Sequence, residues 1–369
     1  MLKTFLQLYG TLVVRNLAYS TSTTAMAAHM RAVRIKSFGD PSQLYIEDQE
    51  PIPQLASNHD VLLHVAATAL NRADTLQRKG GYNPPKGASD ILGLEASGVI
   101  EKIGSNVQGF KEGDRVMALL AGGGYAEYVS VPYQQLIHIP KGMDYISAAA
   151  IPEVWLTAYQ LLHKVSAIQP NERVLVHAAG SGVGTAAIQL IKGLPGTQVI
   201  ATAGSAAKLE KAKSLGADVL VNYKEEKFSE RVMDATNKQG VDIILDPVGG
   251  SNVDQNLASI AMDGRWVLYG LMGGPKASND KFFALMLRKR VQLLSSTLRA
   301  RSLDYKKDLV DSFENHALEK FVSGEYKPII DSITTLDGVA DAHRRMDANL
   351  NSGKIIMKVS DSLLAKDEL

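Results

Sequence analysis

The sequence predicts an α/β protein in which a doubly wound parallel sheet is inserted into a split, β-rich domain. Three observations lead there. From Arg173 to Leu298, six apolar strand-like segments alternate with helix-length segments, the pattern of a parallel sheet covered by helices on both faces. Residues 44–130 instead hold short apolar segments broken by Gly and Pro, the pattern of an all-β region with few helices. A last strand, 353–359, follows a mixed segment after Leu298, so β-rich sequence stands on both sides of the repeat.

Taken in order, residues 1–29 read as a targeting extension. No acidic residue precedes Asp40, while Lys3, Arg15 and many Ser and Thr are present. Leu2, Phe5, Leu6, Tyr9, Leu12 and Val13 fall at helical spacing, which is the character of a mitochondrial presequence. A secretory reading would use Lys3, the apolar stretch to Val14 and Ala25-Met26-Ala27 as a cleavage site; Arg15 and the long polar gap oppose it. The chain ends Lys366-Asp367-Glu368-Leu369, an ER-retention signal that acts only on a protein already inside the ER. Two unstructured ends on a cytosolic protein account for the same residues. Mitochondrial and cytoplasmic locations therefore stand level, with the ER behind them. No apolar run reaches the length of a membrane-spanning helix.

Folded sequence begins at Met30, with a strand at Ala32–Ile35, and further strands read at 60–65 and 96–100. The division is 30–153 for the first part of the β-rich domain, 154–295 for the α/β domain and 296–369 for the return and tail. In the α/β part the strands read 173–179, 198–203, 218–222, 241–246, 265–270 and 291–297. Leu209, Ala212 and Leu215 mark the buried face of one intervening helix, and Gly216 caps it. The composition, 45% hydrophobic and 21% charged over 369 residues, is that of an ordinary globular protein with room for two cores. A net charge of +1 gives no field favouring nucleic acid, membrane or an acidic partner. The absence of cysteine excludes disulfides, thiolate catalysis and cysteine-ligated zinc.

The strongest local signal runs from Val174 to Gly184. A β-branched strand enters the turn Ala178-Ala179-Gly180-Ser181-Gly182-Val183-Gly184, and a helix follows with Val183, Ala187 and Leu190 on one face. Small residues let the backbone approach a pyrophosphate, and the helix start supplies free N–H groups and a positive dipole end. The spacing departs from the usual G-x-G-x-x-G: aligned on Gly184, Ala179 and Ser181 replace the first two glycines. A Gly-rich turn in a non-nucleotide protein is the competing reading, and the βα array around the loop outweighs it. The next strand ends Ala203-Gly204-Ser205 with Lys208 one turn on, and carries no carboxylate to repel a 2′-phosphate. Ser205, Lys208 and, from the third strand, Tyr223 favour NADP(H). Lys208 also reads as a solvated helix lysine beside Lys211 and Lys213.

Several longer motifs carry a family resemblance: Ala69-Leu70-Asn71-Arg72-Ala73-Asp74, Leu92-Gly93-Leu94-Glu95-Ala96-Ser97-Gly98, the stretch Ala149–Ala158, and Asp263–Gly274. Over about residues 30–359 the chain resembles the zinc-free quinone oxidoreductase branch of the medium-chain dehydrogenase/reductases, most like its p53-inducible type. The resemblance implies a Rossmann domain inserted into a GroES-like catalytic domain. It also explains an absence, since zinc-dependent relatives carry Cys and His where Asn71 and Leu94 stand. Without a Lewis acid an alcohol is hard to activate. An electrophilic quinone or conjugated enone needs none.

By the same resemblance, Asn71 and Asp74 orient substrate or water near the nicotinamide, and Tyr82 lies over the cleft as a substrate contact and proton donor. Thr157 contacts the nicotinamide or its ribose. Gly270, Leu271 and Met272 present backbone to the carboxamide, Leu298 and Arg299 close on the cofactor, and Gly353 and Lys354 reach its phosphate–ribose end. Blander readings stand beside these. Asn71 and Asp74 favour turns, Tyr82 adjoins Pro84-Pro85 as a loop tyrosine, Met272 and Trp266 fit a core, and Glu95 reads as a buried carboxylate paired with a cation. The implied activity is NADPH-dependent quinone reduction. An NADPH-dependent alkenal/enone reductase and an idle NADPH-binding structural or RNA-binding protein remain alternatives. The segment 290–297, as an exposed edge strand, favours a homodimer.

Overall fold

The computed structural model describes residues 29–277 and 279–367. The expected targeting extension, His29 apart, and the last two residues of the Lys-Asp-Glu-Leu tetrapeptide lie outside the described residues. Before the helical repeat come β1 (His29–Ile35), β2 (Leu44–Pro51), β3 (Asp60–Ala69), β4 (Glu95–Ile103), β5 (Arg115–Leu119), β6 (Tyr128–Pro132) and β7 (Leu136–His138). The repeat supplies β8 (Arg173–Val176), β9 (Gln198–Ala203), β10 (Val219–Asn222), β11 (Val241–Asp246), β12 (Ile260–Leu268) and β13 (Gln292–Ser295). After it come β14 (Ile330–Thr335) and β15 (Lys354–Lys358).

β8 to β13 form one six-stranded sheet in the order β10-β9-β8-β11-β12-β13, parallel throughout. The order reverses between β8 and β11, so the carboxyl ends of those strands open a crevice where ligands bind in such sheets. A helix follows every strand of this sheet except β13 within the repeat. Two strand ranges, 198–203 and 241–246, coincide with those read from the sequence. β8 stops at Val176, earlier than expected, because Ala178 takes a left-handed φ of 49° and turns the chain into the loop. In the helix Ala206–Ser214, Leu209 and Ala212 are buried, and Gly216, at φ 106°, ends it as the Ala217 N–H returns to the Ala212 carbonyl.

The second sheet is seven-stranded and mostly antiparallel, in the order β14-β15-β3-β4-β5-β7, with β6 also paired to β3. β3 is its centre. It pairs with β4 along one edge; on the other it pairs with β6 through residues 60–64 and with β15 through 67–69. Chain from both sides of the repeat thus meets in one sheet, so the parallel sheet is an insertion. One continuous core joins the two parts: Ala66, Met117 and Ile137 from the antiparallel sheet, Trp155 and Leu162 from the crossing helical segment 152–165, and Val174 and Leu245 from the parallel sheet. The two sheets are therefore packed together through one core.

The short helix Arg72–Arg78, which follows β3, is anchored at its far end by Arg78, a fully buried cation. Its guanidinium donates to Gly39 O at 3.0 Å and Asp347 Oδ2 at 2.6 Å, and lies 3.0 Å from His343 Nδ1. Burial, helped by the Arg78 charge, lowers the His343 pKa to about 3, so the ring is neutral and its Nδ1 accepts from Arg78. Its Nε2 lies 3.4 Å from the Tyr125 hydroxyl, which donates onward to Asp74 Oδ2 at 3.1 Å. A polar chain thus runs from the helix Val339–Asp347 to the start of the helix Arg72–Arg78. Arg78→Ala leaves His343 Nδ1 without its donor and Asp347 with only the exposed Lys79 ammonium, and the expected loss is about 3 kcal/mol. Urea denaturation reads it, and an unchanged midpoint would show the anchor to be dispensable.

Candidate active site

The phosphate loop lies between β8 and the helix Gly182–Lys192, at the reversal point of the parallel sheet. Ser181 is the N-cap, its Oγ accepting from the Gly184 N–H at 3.0 Å. The first-turn N–H groups of Gly182 and Val183 have no partner within the helix, as at any helix start. A Cβ on Gly184 would stand 2.5 Å from Ala178 O and 2.8 Å from Ala179 Cα, so helix and strand pack here only with glycine. Gly353, just before β15, donates its N–H to Gly180 O at 2.8 Å and ties the antiparallel sheet to this loop.

At the end of β9, a Cβ on Gly204 would meet Tyr223 Oη at 2.6 Å and Lys224 Cε at 3.1 Å. Ser205 caps the next helix by position but makes no side-chain cap bond, so its hydroxyl is left for other partners. Lys208 reaches across Gly180 and donates to Asn349 O at 2.6 Å; Arg72 grips Asn349 Oδ1 at 2.6 Å from the other side. Burial lowers the Lys208 pKa; Asp331 opposes this, while Arg72, Lys224 and Arg345 add to it. This end of the cleft is therefore a crowd of cations. Lys224 and Arg72 were missed by sequence reasoning, since each looks like a solvated surface charge without its neighbours.

The opposite end is built around a buried ion pair. Lys354 Nζ lies 2.7 Å from Glu95 Oε1 and donates to Leu70 O and Asn71 Oδ1, each at 2.7 Å. Asn71 Nδ2 donates to the same Glu95 oxygen at 2.8 Å, and the Glu153 N–H donates to Glu95 Oε2 at 2.9 Å. Glu95 is the buried, cation-paired carboxylate anticipated. Lys354 differs from expectation. Its ammonium is spent inside this cluster, and only its stem, 2.8 Å from where a Gly182 Cβ would stand, covers the phosphate loop. Asp74 also faces inward. Its oxygens accept from the N–H groups of Asn71 (2.7 Å) and Gly93 (3.1 Å) and from the Tyr125 hydroxyl. Burial raises its pKa to about 6, against those hydrogen bonds. Asp74 thus caps the helix, and Asn71, beside it, turns its side chain to the cluster.

Tyr82 lies in the cleft beneath Arg299, whose guanidinium is 5.3 Å from the ring centroid and donates to Tyr82 O at 3.3 Å and Ala121 O at 2.8 Å. Burial, then the Glu153 charge, raises the Tyr82 pKa, with Arg299 opposing. Leu298 is buried in the shared core rather than exposed to the cleft. Thr157 is half-buried, one turn beyond Glu153 on the helix Pro152–Tyr159. Gly270, Leu271 and Met272 follow β12 at the crevice. Leu271 and Met272 are exposed, and the Met272 N–H is already held by Pro247 O at 3.1 Å. Two buried polar atoms have no hydrogen-bond partner here, Glu153 Oε2 and Arg299 Nη2. Among the described residues no group of three or more His, Cys, Asp or Glu is placed to hold a metal ion.

A reversal-point phosphate loop, an inserted parallel sheet and a cleft against a GroES-like sheet define a nicotinamide-dependent oxidoreductase class. Residues 57–141 match the alcohol dehydrogenase GroES-like domain, and residues 182–315 match the zinc-binding dehydrogenase family. The human quinone oxidoreductase is 30% identical over 334 residues, covering 89% of this chain and 97% of that protein. The rat synaptic vesicle membrane protein VAT-1 homolog is 32% identical over 343 residues, covering 90% and 84%. Among solved structures, an NAD-dependent alcohol dehydrogenase superposes with a TM-score of 0.79 at 32% identity, covering 90% of this chain and 100% of that one. A mycobacterial protein complexed with NADPH superposes at 0.80 and 28%, covering 89% and 99%. The chain belongs to the medium-chain dehydrogenase/reductase superfamily and is an oxidoreductase with quinone oxidoreductase relatives.

The ion pair sets an expectation for the site. Glu95→Ala leaves the Lys354 ammonium buried without a counter-charge, with an expected loss of roughly 3–5 kcal/mol. Thermal unfolding of the cofactor-free protein checks it, and a loss below about 1 kcal/mol, the size of an exposed pair, would contradict the burial described.

Proposed function

We propose that the protein is an NADPH-dependent quinone reductase that works without zinc. The observation that carries the reading is the end of β9, which bears no acid of its own: Tyr223 Oη and the Lys224 stem pack against Gly204, the Ser205 hydroxyl makes no cap bond, and Lys208 follows one turn on, a set suited to a 2′-phosphate. Lys224 and Arg72 add charge to it. Ser181, Gly182, Val183 and Gly184 would hold the pyrophosphate by backbone N–H groups. Thr157 and the Gly270–Met272 backbone would flank the nicotinamide, and Arg299 would cover it together with Tyr82. The bound cofactor supplies hydride; this chain positions the acceptor and excludes water.

The acceptor follows from what surrounds Asn71. Its amide is held by Glu95 and Lys354, and neighbouring Leu94 is apolar and buried, so nothing here polarises an alcohol as a metal would. A quinone is electrophilic already. Asp74 we assign a positioning role, since both its oxygens are spent on the helix start, Gly93 and Tyr125. A conjugated enone would suit the same site, and parallel assay with one separates the two.

We also propose a homodimer through the edge of the parallel sheet. β13 is exposed and carries the exposed Leu293, and the preceding helix exposes Phe283 and Leu287, at 83% and 80%, one turn apart. Leu293→Lys is expected to shift a dimer to monomer in analytical ultracentrifugation; a monomeric wild type would end the idea.

The cofactor reading is tested at 340 nm with 1,2-naphthoquinone and a conjugated enone, using NADPH and NADH. Fast quinone turnover with NADPH and little with NADH is expected. Lys208→Ala should raise the NADPH KM roughly 10- to 100-fold, the worth of a charged hydrogen bond, and leave NADH unaffected. Equal use of both cofactors would refute the 2′-phosphate assignment. NADPH binding without turnover on either acceptor would leave a binding protein as the better reading.

A further inference from the structure

Glu153 belongs to no role given so far, yet it adjoins the buried ion pair, and its charge acts on Tyr82 and Arg299. It follows Pro152 in the first turn of the helix Pro152–Tyr159, and its backbone N–H is fixed by Glu95. The next residue, Val154, is 2.8 Å from where a Gly182 Cβ would stand, so this helix start lies directly against the phosphate loop. We propose that Glu153 is the proton donor to the reduced acceptor, placed between the Asn71–Lys354–Glu95 cluster and Tyr82. The proposal rests on the quinone-reductase reading above.

Charge balance and hydrogen bonding both make it an acid. The buried cation Lys354 is taken by Glu95, each of whose oxygens accepts at least one hydrogen bond. Glu153 is left with Oε2 buried and without a hydrogen-bond partner, the condition of a carboxyl that keeps its proton. The groups that act on it are Glu95 from β4, Lys354 from β15, Asp74 from the helix Arg72–Arg78 and Lys306 from the helix Leu303–Val322. Tyr82 and Arg299 feel its charge across the cleft. Burial first, then Glu95, raises its pKa to about 8, with Lys354 and Lys306 opposing. Tyr82 is the poorer candidate, because burial and Glu153 push its already high pKa upward.

The step balances. Hydride carries two electrons from the dihydronicotinamide, which is oxidised, to the quinone, which becomes a hydroquinone monoanion. The Glu153 O–H bond breaks, the proton bonds to the phenolate oxygen, and the Glu153 carboxylate is reprotonated from water. Because the acid must be protonated to donate, the rate is full below its pKa and falls as pH rises through it.

The experiment compares wild type with Glu153→Gln in steady-state quinone reduction from neutral to alkaline pH, beside a 13C-carboxyl NMR titration of the cofactor-free protein. The wild-type kcat should fall above about pH 8. Glu153→Gln should lose roughly 100-fold in kcat at neutral pH and lack that alkaline limb, while its NADPH Kd by fluorescence stays the same. The NMR resonance that vanishes in Glu153→Gln should titrate near pH 8. Glu153→Asp serves for assignment should the Gln variant not fold. A midpoint in the ordinary carboxylate range overturns the proposal without reference to turnover. A Gln variant with wild-type rate and pH profile overturns the donor alone, and a wild type inert toward quinone overturns the quinone reading and the donor together.

Discussion

The Lys354–Glu95 ion pair is the constraint on which the arrangement of the site depends. Both side chains are buried, so each charge is taken out of water at a cost that attraction repays only if the remaining donors and acceptors are filled. They are filled: the ammonium has three protons and meets Leu70 O, Asn71 Oδ1 and Glu95. Glu95 in turn takes the Asn71 amide on one oxygen and the Glu153 N–H on the other. Four pieces of chain are thereby fixed to one point: β15, β4, the turn after β3, and the start of the helix Pro152–Tyr159. Because Gly353 at the head of β15 is bonded to Gly180, the same point is coupled to the phosphate loop.

From this follows a division of labour along the cleft. At one end Lys208, Lys224 and Arg72 lie together beside the paired Arg345 and Asp331, and Lys208 and Arg72 share Asn349, a polar partner that carries no charge. Such a cluster is relieved by an anion. At the other end carboxyl groups outnumber the cations hydrogen-bonded to them. Asp74 meets this with three hydrogen bonds and Glu95 with a lysine, while Glu153 has neither for its Oε2. A carboxyl so placed stays neutral to higher pH, which is how a fold arranges acid chemistry near neutrality. Tyr82 and Arg299 roof this end as a stacked pair held to Ala121.

The polar chain from Arg78 through His343 and Tyr125 to Asp74 supports the same end from behind. Its members lie far apart in sequence, and its direction is set by one neutral imidazole that accepts on Nδ1 and faces the tyrosine hydroxyl with Nε2. It holds the helix start, and hence Asn71, against β15 without spending any group that faces the cleft.

The sequence by itself determined the architecture. Period and composition marked the βα repeat, placed 198–203 and 241–246 as strands, and set β-rich sequence on either side of the insertion, because those signals are local and a buried parallel strand or amphipathic helix shows them in a few residues. The Gly-rich turn and the missing acid after β9 were legible for the same reason. What only the tertiary structure decided is where the charged side chains end. Lys354 was expected at the phosphates and instead sits beside Glu95; Asp74 turned inward; Arg299 lies over Tyr82; and Glu153, an unremarkable first-turn acid in sequence, is left with a buried oxygen that nothing bonds. Each of these outcomes depends on partners from other parts of the chain, in one case 283 residues away, and on which of them were already satisfied. Burial and hydrogen-bond competition are properties of the assembled site, so no local pattern could have carried them.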